Sequence, residues 1–199
     1  MYDNAIYYSK LAAEKINLKE LYNLESCEYI LCTIHRNQNT DNPESLANIV
    51  EALLVIAESN KIFLPLHPRT RQAIQQLPMR LKNHFISNKN IIINPPVGFL
   101  EMISLEQHAR FIMTDSGGVQ KEAFFFSKPC IILRAETEWT EIVESGRAIL
   151  AGSSKEKIIA AFRYFAQKTS FEGSSVQRKL YGEGNAAHEI LGLIKKHHY

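Results

Sequence analysis

Apolar positions along the chain fall into two alternating patterns. Short continuous runs lie at Tyr29–Ile34, Ile62–Leu66, Asn90–Asn94, Phe111–Thr114, Cys130–Arg134 and Ala148–Ala151. Runs that are apolar at successive positions, not at every second one, predict strands buried on both faces, as in a parallel sheet covered by helices. Between them the apolar residues recur with helical spacing. Over Pro43–Glu58, the residues Leu46, Ile49, Val50, Leu53, Leu54 and Ala57 share one face, and Pro43 suits a first helical turn. The same spacing predicts helices over Thr70–Leu77, Phe99–His108, Gly118–Phe126 and Lys155–Gln167. Strand-helix alternation of this kind predicts an α/β fold: a doubly wound, Rossmann-like parallel sheet of six strands. Helical stretches flank it at Tyr2–Leu24 and Gln177–His198. The expected division is a helical segment over 1–27, the sheet domain over 28–168, and a loop with a closing helix over 169–199. In such a sheet ligands bind where strands give way to helices, so the residues just after each strand are the candidates for chemistry.

Composition narrows the class. Of the 199 residues, 45% are hydrophobic and 22% charged, which excludes a disordered tail, a collagen-like chain and a disulfide scaffold. A net charge of +2 gives no electrostatic case for a nucleic-acid partner. No apolar run approaches the ~20 residues of a membrane span, and Met1–Lys10 lacks the basic-then-apolar order of a secretory signal. Cys27, Cys32 and Cys130 form no Cys-x-x-Cys pair. Cys32 and Cys130 sit inside apolar runs and are expected as buried free thiols, which fits a reducing cytoplasm. The spacing of Cys and His predicts no metal site, and no cofactor is expected.

The strongest local signal is Thr114-Asp115-Ser116-Gly117-Gly118-Val119-Gln120-Lys121-Glu122, which follows an apolar strand and opens a helix. Free amides at a helix start, with the positive end of its dipole, suit a phosphate. Ser116 adds a hydroxyl, and Glu122, one turn into the helix, could accept the two hydroxyls of a ribose. A plain strand-to-helix turn capped by Asp or Ser is the competing reading. His35-Arg36-Asn37-Gln38-Asn39 follows the first strand. There His35 could donate to a phosphate or act as acid or base, and Arg36 could pair with a diphosphate through its planar fork. After the second strand, His67-Pro68-Arg69-Thr70 places His67 and Arg69 at the same edge. Three successive strand ends with donors point to a polyanionic ligand. After the fifth strand, Arg134 leads into an acidic loop with Glu136, Glu138, Trp139 and Glu141, where the only tryptophan is either a stacking surface or an anchor that packs the loop down. Gly182-Glu183-Gly184-Asn185-Ala186-Ala187 matches a dinucleotide fingerprint in letters alone. With no strand before it, it reads as a turn ahead of a helix over Ala186–Lys196.

Taken in order, His35-Arg36-x-x-Asn39, His67-Pro68-x-Thr70, Pro95-Pro96-Val97-Gly98-Phe99-Leu100, the Asp115–Glu122 loop, Glu136-Thr137-Glu138-Trp139-Thr140-Glu141 and Tyr181-Gly182-Glu183-Gly184-Asn185-Ala186 resemble the C-terminal half of the non-hydrolysing UDP-N-acetylglucosamine 2-epimerases. The resemblance runs from about Tyr2 to Ile194. It implies the second domain of a two-domain, glycosyltransferase-B-like fold, with a UDP-sugar as substrate, an N-terminal domain as partner and a homodimer as the whole enzyme. It also implies a place in the synthesis of cell-surface polysaccharide. The reaction it implies inverts carbon 2 of the sugar by anti elimination of UDP and re-addition on the other face. By the resemblance His35 is catalytic. Arg36, Val97, Phe99, Ser116, Gly117, Gly118, Glu122 and Arg134 hold UDP, and His67, Arg69, Glu138 and Trp139 are cleft or effector positions. The carboxylates that move the proton at carbon 2 would lie in the N-terminal domain. Two departures bear on the substrate. Gln38 stands where the family usually has Glu, and Glu138-Trp139-Thr140-Glu141 stands where many members have Glu-Arg-Pro-Glu. The Trp form is similar to a subgroup acting on UDP-2,3-diacetamido-2,3-dideoxyglucuronate. A UDP-sugar glycosyltransferase domain and a non-catalytic UDP-binding module are the other readings.

Overall fold

All six apolar runs form strands: β1 (Tyr29–Thr33), β2 (Lys61–Pro65), β3 (Ile91–Asn94), β4 (Phe111–Thr114), β5 (Cys130–Ile132) and β6 (Ala148–Leu150). The computed structural model describes residues 1–26, 28–168 and 180–197. The strands pair in parallel in the order β3-β2-β1-β4-β5-β6, with Leu31 opposite Phe63 on one side and Ile112 on the other. The order reverses between β1 and β4, and a crevice opens at their carboxyl ends. Both strands are buried throughout, as their unbroken apolar runs require.

The helices are α1 (Tyr2–Lys15), α2 (Leu18–Tyr22), α3 (Asn37–Thr40), α4 (Pro43–Ile56), α5 (Pro68–Gln75), α6 (Met79–Ile86), α7 (Phe99–His108), α8 (Gly117–Phe125), α9 (Thr140–Glu144), α10 (Lys155–Ala166) and α11 (Ala186–His197). Alternate strand residues supply opposite faces of the sheet. Ile30, Cys32, Phe111, Met113 and Ile131 pack with Leu53, Phe85 and Phe165 of α4, α6 and α10. Tyr29, Leu31, Ile112 and Ile132 pack with Ala5, Leu105 and Ala123 of α1, α7 and α8. A fully buried Leu such as Leu53 contributes about 1.5–3 kcal/mol relative to an exposed one.

The structure corrects the sequence reading at two places. The helical stretch Tyr2–Leu24 is two helices: Ile16 is extended, and the Asn17 side chain caps α2 by accepting from the amides of Lys19 and Glu20. Helix α6 was not expected: it is two turns long, with Phe85 its one buried residue and Leu81 partly covered against the core. The turn read at Gly182–Ala187 lies over residues 182–185, directly ahead of α11. Gly182 and Gly184 have φ of +71° and +77°, and a side chain at Gly184 would collide with Ile6 of α1. The glycines thus serve a tight turn against α1. Cys27 and residues 169–179 lie outside the described residues. Cys32 and Cys130 are buried free thiols, pushed up in pKa by burial. Among the described residues no helix is long and apolar enough to cross a membrane.

Candidate functional site

The site is organised by Asp115, the first residue after β4. Its side chain is fully buried, yet its oxygens meet a convergent set of donors from the loop after β1. The amides of His35 and Arg36 donate to it at 3.1 and 3.0 Å, and Nδ2 of Asn39 at 3.0 Å. Nδ1 of His35 lies 3.2 Å away. Asn39 also donates to the carbonyl of Leu133 at 2.9 Å, which ties in the end of β5. Parallel pairing of β1 with β4 sets these loops side by side. The carboxylate then locks the loop and keeps the His35 ring beside it, with Nδ1 on the Asp115 side.

The start of α8 lies beside this bracket. The hydroxyl of Thr114 accepts from the amide of Ser116 at 2.9 Å and meets the hydroxyl of Thr33 at 2.6 Å. Ser116 occupies the N-cap position but makes no side-chain cap, so its hydroxyl and the amides of Gly117 and Gly118 stand ready for an anion at the positive end of the helix. Neither glycine adopts a positive φ. A cavity of about 220 Å³ sits at the switch point, lined by His35, His67, Val97, Met102, Ser116 and Val119 among others. The two histidine rings lie 6.2 Å apart. Nδ1 of His67 accepts from the amide of Arg69 at 3.2 Å, which puts the His67 proton on Nε2 as a donor. Next to it Arg36, Asn37, Gln38 and Arg134 line a second cavity of about 250 Å³.

The acidic loop after β5 folds over the start of α8. Trp139 donates its indole N–H to the carbonyl of Gly117 at 2.9 Å, and the ammonium of Lys121 lies 3.6 Å over its ring. Trp139 is therefore the anchor of the two readings left open, and one face of its ring is covered. The same ammonium lies 4.7 Å over the Tyr181 ring, whose hydroxyl donates to Glu141. Thr137 donates to Gln120 at 2.6 Å and receives the amide of Trp139 at 3.1 Å. Arg134 is buried and forks onto Glu138 at 2.8 and 2.7 Å. Those bonds hold the Glu138 carboxyl down at about 2.

Most of the sequence-derived candidates come together here, and several sit differently from expectation. His35, Arg36, His67, Val97, Ser116, Gly117 and Gly118 gather around the crevice. Arg69 is drawn away onto Asp41, with Nε at 3.2 Å, because α3 brings that carboxylate alongside the start of α5. It does not stand with His67 as a free cation. Phe99 is 56% exposed and its ring meets Tyr8 of α1 edge-on at 4.9 Å, at the start of α7 two residues after the cavity-lining Val97. Glu122 is partly buried and faces Glu106 of α7, and burial raises its pKa. The sequence reading missed the hub role of Asp115 and the Lys121 clamp, although both residues stand inside the motif. It missed Glu106 as well, whose only signal is an acid between apolar positions of a helix. Among the described residues no group of His, Cys, Asp or Glu is arranged to hold a metal ion.

Comparison with known proteins extends this geometry. The family model described as UDP-N-acetylglucosamine 2-epimerase matches residues 1–195. The UDP-N-acetylglucosamine 2-epimerase homolog of Methanococcus maripaludis is 43% identical to this chain, over 98% of it and 52% of its own length. The UDP-2,3-diacetamido-2,3-dideoxy-D-glucuronate 2-epimerase of Pseudomonas aeruginosa is 40% identical, over 98% of this chain and 51% of its own. The structure of the Methanocaldococcus jannaschii UDP-GlcNAc 2-epimerase in complex with UDP-GlcNAc and UDP superposes with a TM-score of 0.83 at 36% identity, over 98% of this chain and 52% of that one. The chain spans about half the length of the curated relatives it matches.

Proposed function

Since the chain belongs to the UDP-N-acetylglucosamine 2-epimerase family, we propose that it is the nucleotide-binding half of an enzyme interconverting UDP-N-acetylglucosamine and UDP-N-acetylmannosamine. One observation carries the reading: Asp115 gathers His35 and Arg36 next to the uncapped amides of Gly117 and Gly118 at the switch point. Elimination of UDP and its re-addition on the other face of the sugar require UDP to stay in place after its bond to the sugar breaks. A preorganised set of cationic and amide donors does that. The amides of Gly117 and Gly118 and the Ser116 hydroxyl take the diphosphate, and the Arg36 fork flanks it. His35, held by Asp115, exchanges a proton at Nε2 with the leaving oxygen. Backbone groups at Val97 and Phe99 border the base, Glu122 accepts the ribose hydroxyls, and Arg134 reaches the diphosphate when Glu138 releases it. His67 is a second donor at the same cavity.

The groups that move the carbon 2 proton are assigned to a first domain, in a glycosyltransferase-B-like pair that closes over the sugar. The exposed apolar side chains of α11, Ile190, Leu191, Leu193 and Ile194, support a surface that packs back onto that domain. The reading extends to a cytoplasmic homodimer serving cell-surface polysaccharide synthesis. The matched family and the two relatives described above are 2-epimerases, which disfavours the glycosyltransferase reading.

The test joins this chain to a first half taken from a relative and supplies UDP-N-acetylglucosamine in heavy water. Deuterium uptake at carbon 2 and formation of the epimer are expected, both lost by at least tenfold in His35→Ala, with neither given by the chain alone. Clear exchange from the chain alone would overturn the division of labour. Transfer of the sugar to an acceptor would overturn the epimerase reading, and preferred turnover of UDP-2,3-diacetamido-2,3-dideoxyglucuronate would replace the sugar.

A further inference from the structure

Helix α7 is enclosed between α1, α8 and the sheet, and Ile103, Ser104, Leu105 and Glu106 are buried in succession along it. Glu106 is fully buried, and neither of its carboxyl oxygens has a partner that donates to it. The group it faces is the carboxyl of Glu122, one turn into the helix that opens with Ser116–Gly118. Leu105, Ala109, Ala123 and Phe124 make the surroundings apolar. Two adjacent carboxylates in such a place cannot both be charged, since each lacks water and repels the other. One proton resolves this, because a carboxyl donating to a carboxylate satisfies both groups.

We propose that Glu106 is a positioning residue that donates a shared proton to Glu122 from within the core and so holds Glu122 as a charged, oriented acceptor for the ribose hydroxyls. The inference rests on the reading of Glu122 as the ribose-binding carboxylate. The more deeply buried Glu106 keeps the proton: burial and then the Glu122 charge push its pKa well above the usual carboxylate range. On Glu122 the bond from Glu106 acts downward, against burial, which acts upward. Among the described residues the other titratable group at Glu106 is the thiol of Cys130 on β5, itself pushed up by burial and by Glu106, so it stays neutral. The pair titrates as a unit. When its last proton leaves at alkaline pH, repulsion turns Glu122 out of position.

The experiment measures affinity for UDP and for 2′-deoxy-UDP by calorimetry on the 199-residue chain, since the ratio isolates the ribose hydroxyl. Wild type and Glu106→Gln are followed from pH 6 to pH 10, and Glu106→Leu and Glu122→Gln are measured at pH 7. Wild type is expected to prefer UDP about tenfold at pH 7, the worth of one hydrogen bond to a charged acceptor, and to lose that preference toward pH 10. Glu106→Gln carries a permanent amide donor of the same shape and keeps the preference across the range. Glu106→Leu and Glu122→Gln lose it. If Glu122→Gln loses the preference while Glu106→Leu keeps it, or if wild type and Glu106→Gln give parallel pH profiles, the role of Glu106 is overturned. If Glu122→Gln itself keeps the preference, the failure lies in the ribose reading of Glu122.

Discussion

Asp115 and Glu106 are both fully buried acids, and their surroundings are opposite. Asp115 meets two backbone amides, a side-chain amide and an imidazole nitrogen. Glu106 meets no donor, and the group it faces is another carboxyl. The difference follows from where each stands in the fold. Asp115 follows a strand at the switch point, where the adjacent loop has amides not consumed by secondary structure. Glu106 lies in mid-helix, where every nearby amide is already bonded within the helix and only side chains could help. Burial alone therefore does not set the chemistry of an acid here. The supply of donors does, and strand ends supply them. This is why the candidate binding loops sit at strand ends, while Glu106 lies in a helix packed behind them.

The largest effect is expected from removing the member that is surrounded by donors. Asp115→Ala leaves the amides of His35 and Arg36 and the Asn39 side chain without their acceptor. The cost is about 3 kcal/mol or more, since each buried orphan costs roughly 1–3 kcal/mol. Thermal melting should show the loss, and calorimetry should show UDP binding falling with it. Intact UDP affinity in a folded Asp115→Ala protein would contradict the hub role. A smaller effect is expected at Trp139→Phe, which keeps a ring under Lys121 but loses the bond to Gly117. One such bond contributes about 0.5–1.5 kcal/mol, and the melting temperature should report it. An effect as large as that of Asp115→Ala would mean that Trp139, and not the carboxylate, organises the loop.

The smallest effect is expected at Glu138→Gln. Glu138 is half exposed, and the amide of Gln still accepts from the Arg134 fork, so the change is expected to stay under about 1 kcal/mol. Its sign is fixed by the depressed carboxyl, which sits at about 2 instead of the ordinary 4.5. Whatever the pair adds is present above pH 4.5 and fades as the pH falls toward 2. Melting curves of the two proteins should therefore differ slightly at pH 7 and converge in acid. A difference that grows in acid would contradict the ion pair.

Much of this molecule can be read from its residues. Continuous apolar runs such as Phe111–Thr114 announce buried parallel strands, and the residues that follow them announce the crevice. The bracket at Asp115 was not legible, because its partners lie 79 and 80 positions away and meet it only through the pairing of β1 with β4. The same holds for Arg69, whose partner Asp41 is 28 positions distant. A pattern of apolar positions carries no record of such pairings. Helix α7 hid its acid for a different reason: a helix enclosed on several sides loses the one-sided periodicity that separates core from surface. Helix α6 escaped for the opposite reason, with only Phe85 buried and Leu81 partly covered against the core.

The central claim is that this chain holds a nucleoside diphosphate mainly by its diphosphate, at the amides of Gly117 and Gly118 beside Arg36 and His35. Calorimetry with UDP, UMP and uridine on the same protein tests it most directly. The account predicts weak binding in the order UDP, UMP, uridine, with UDP at least tenfold tighter than uridine, since a single charge-assisted contact is worth roughly 1.5–3 kcal/mol. Uridine binding as tightly as UDP would contradict it.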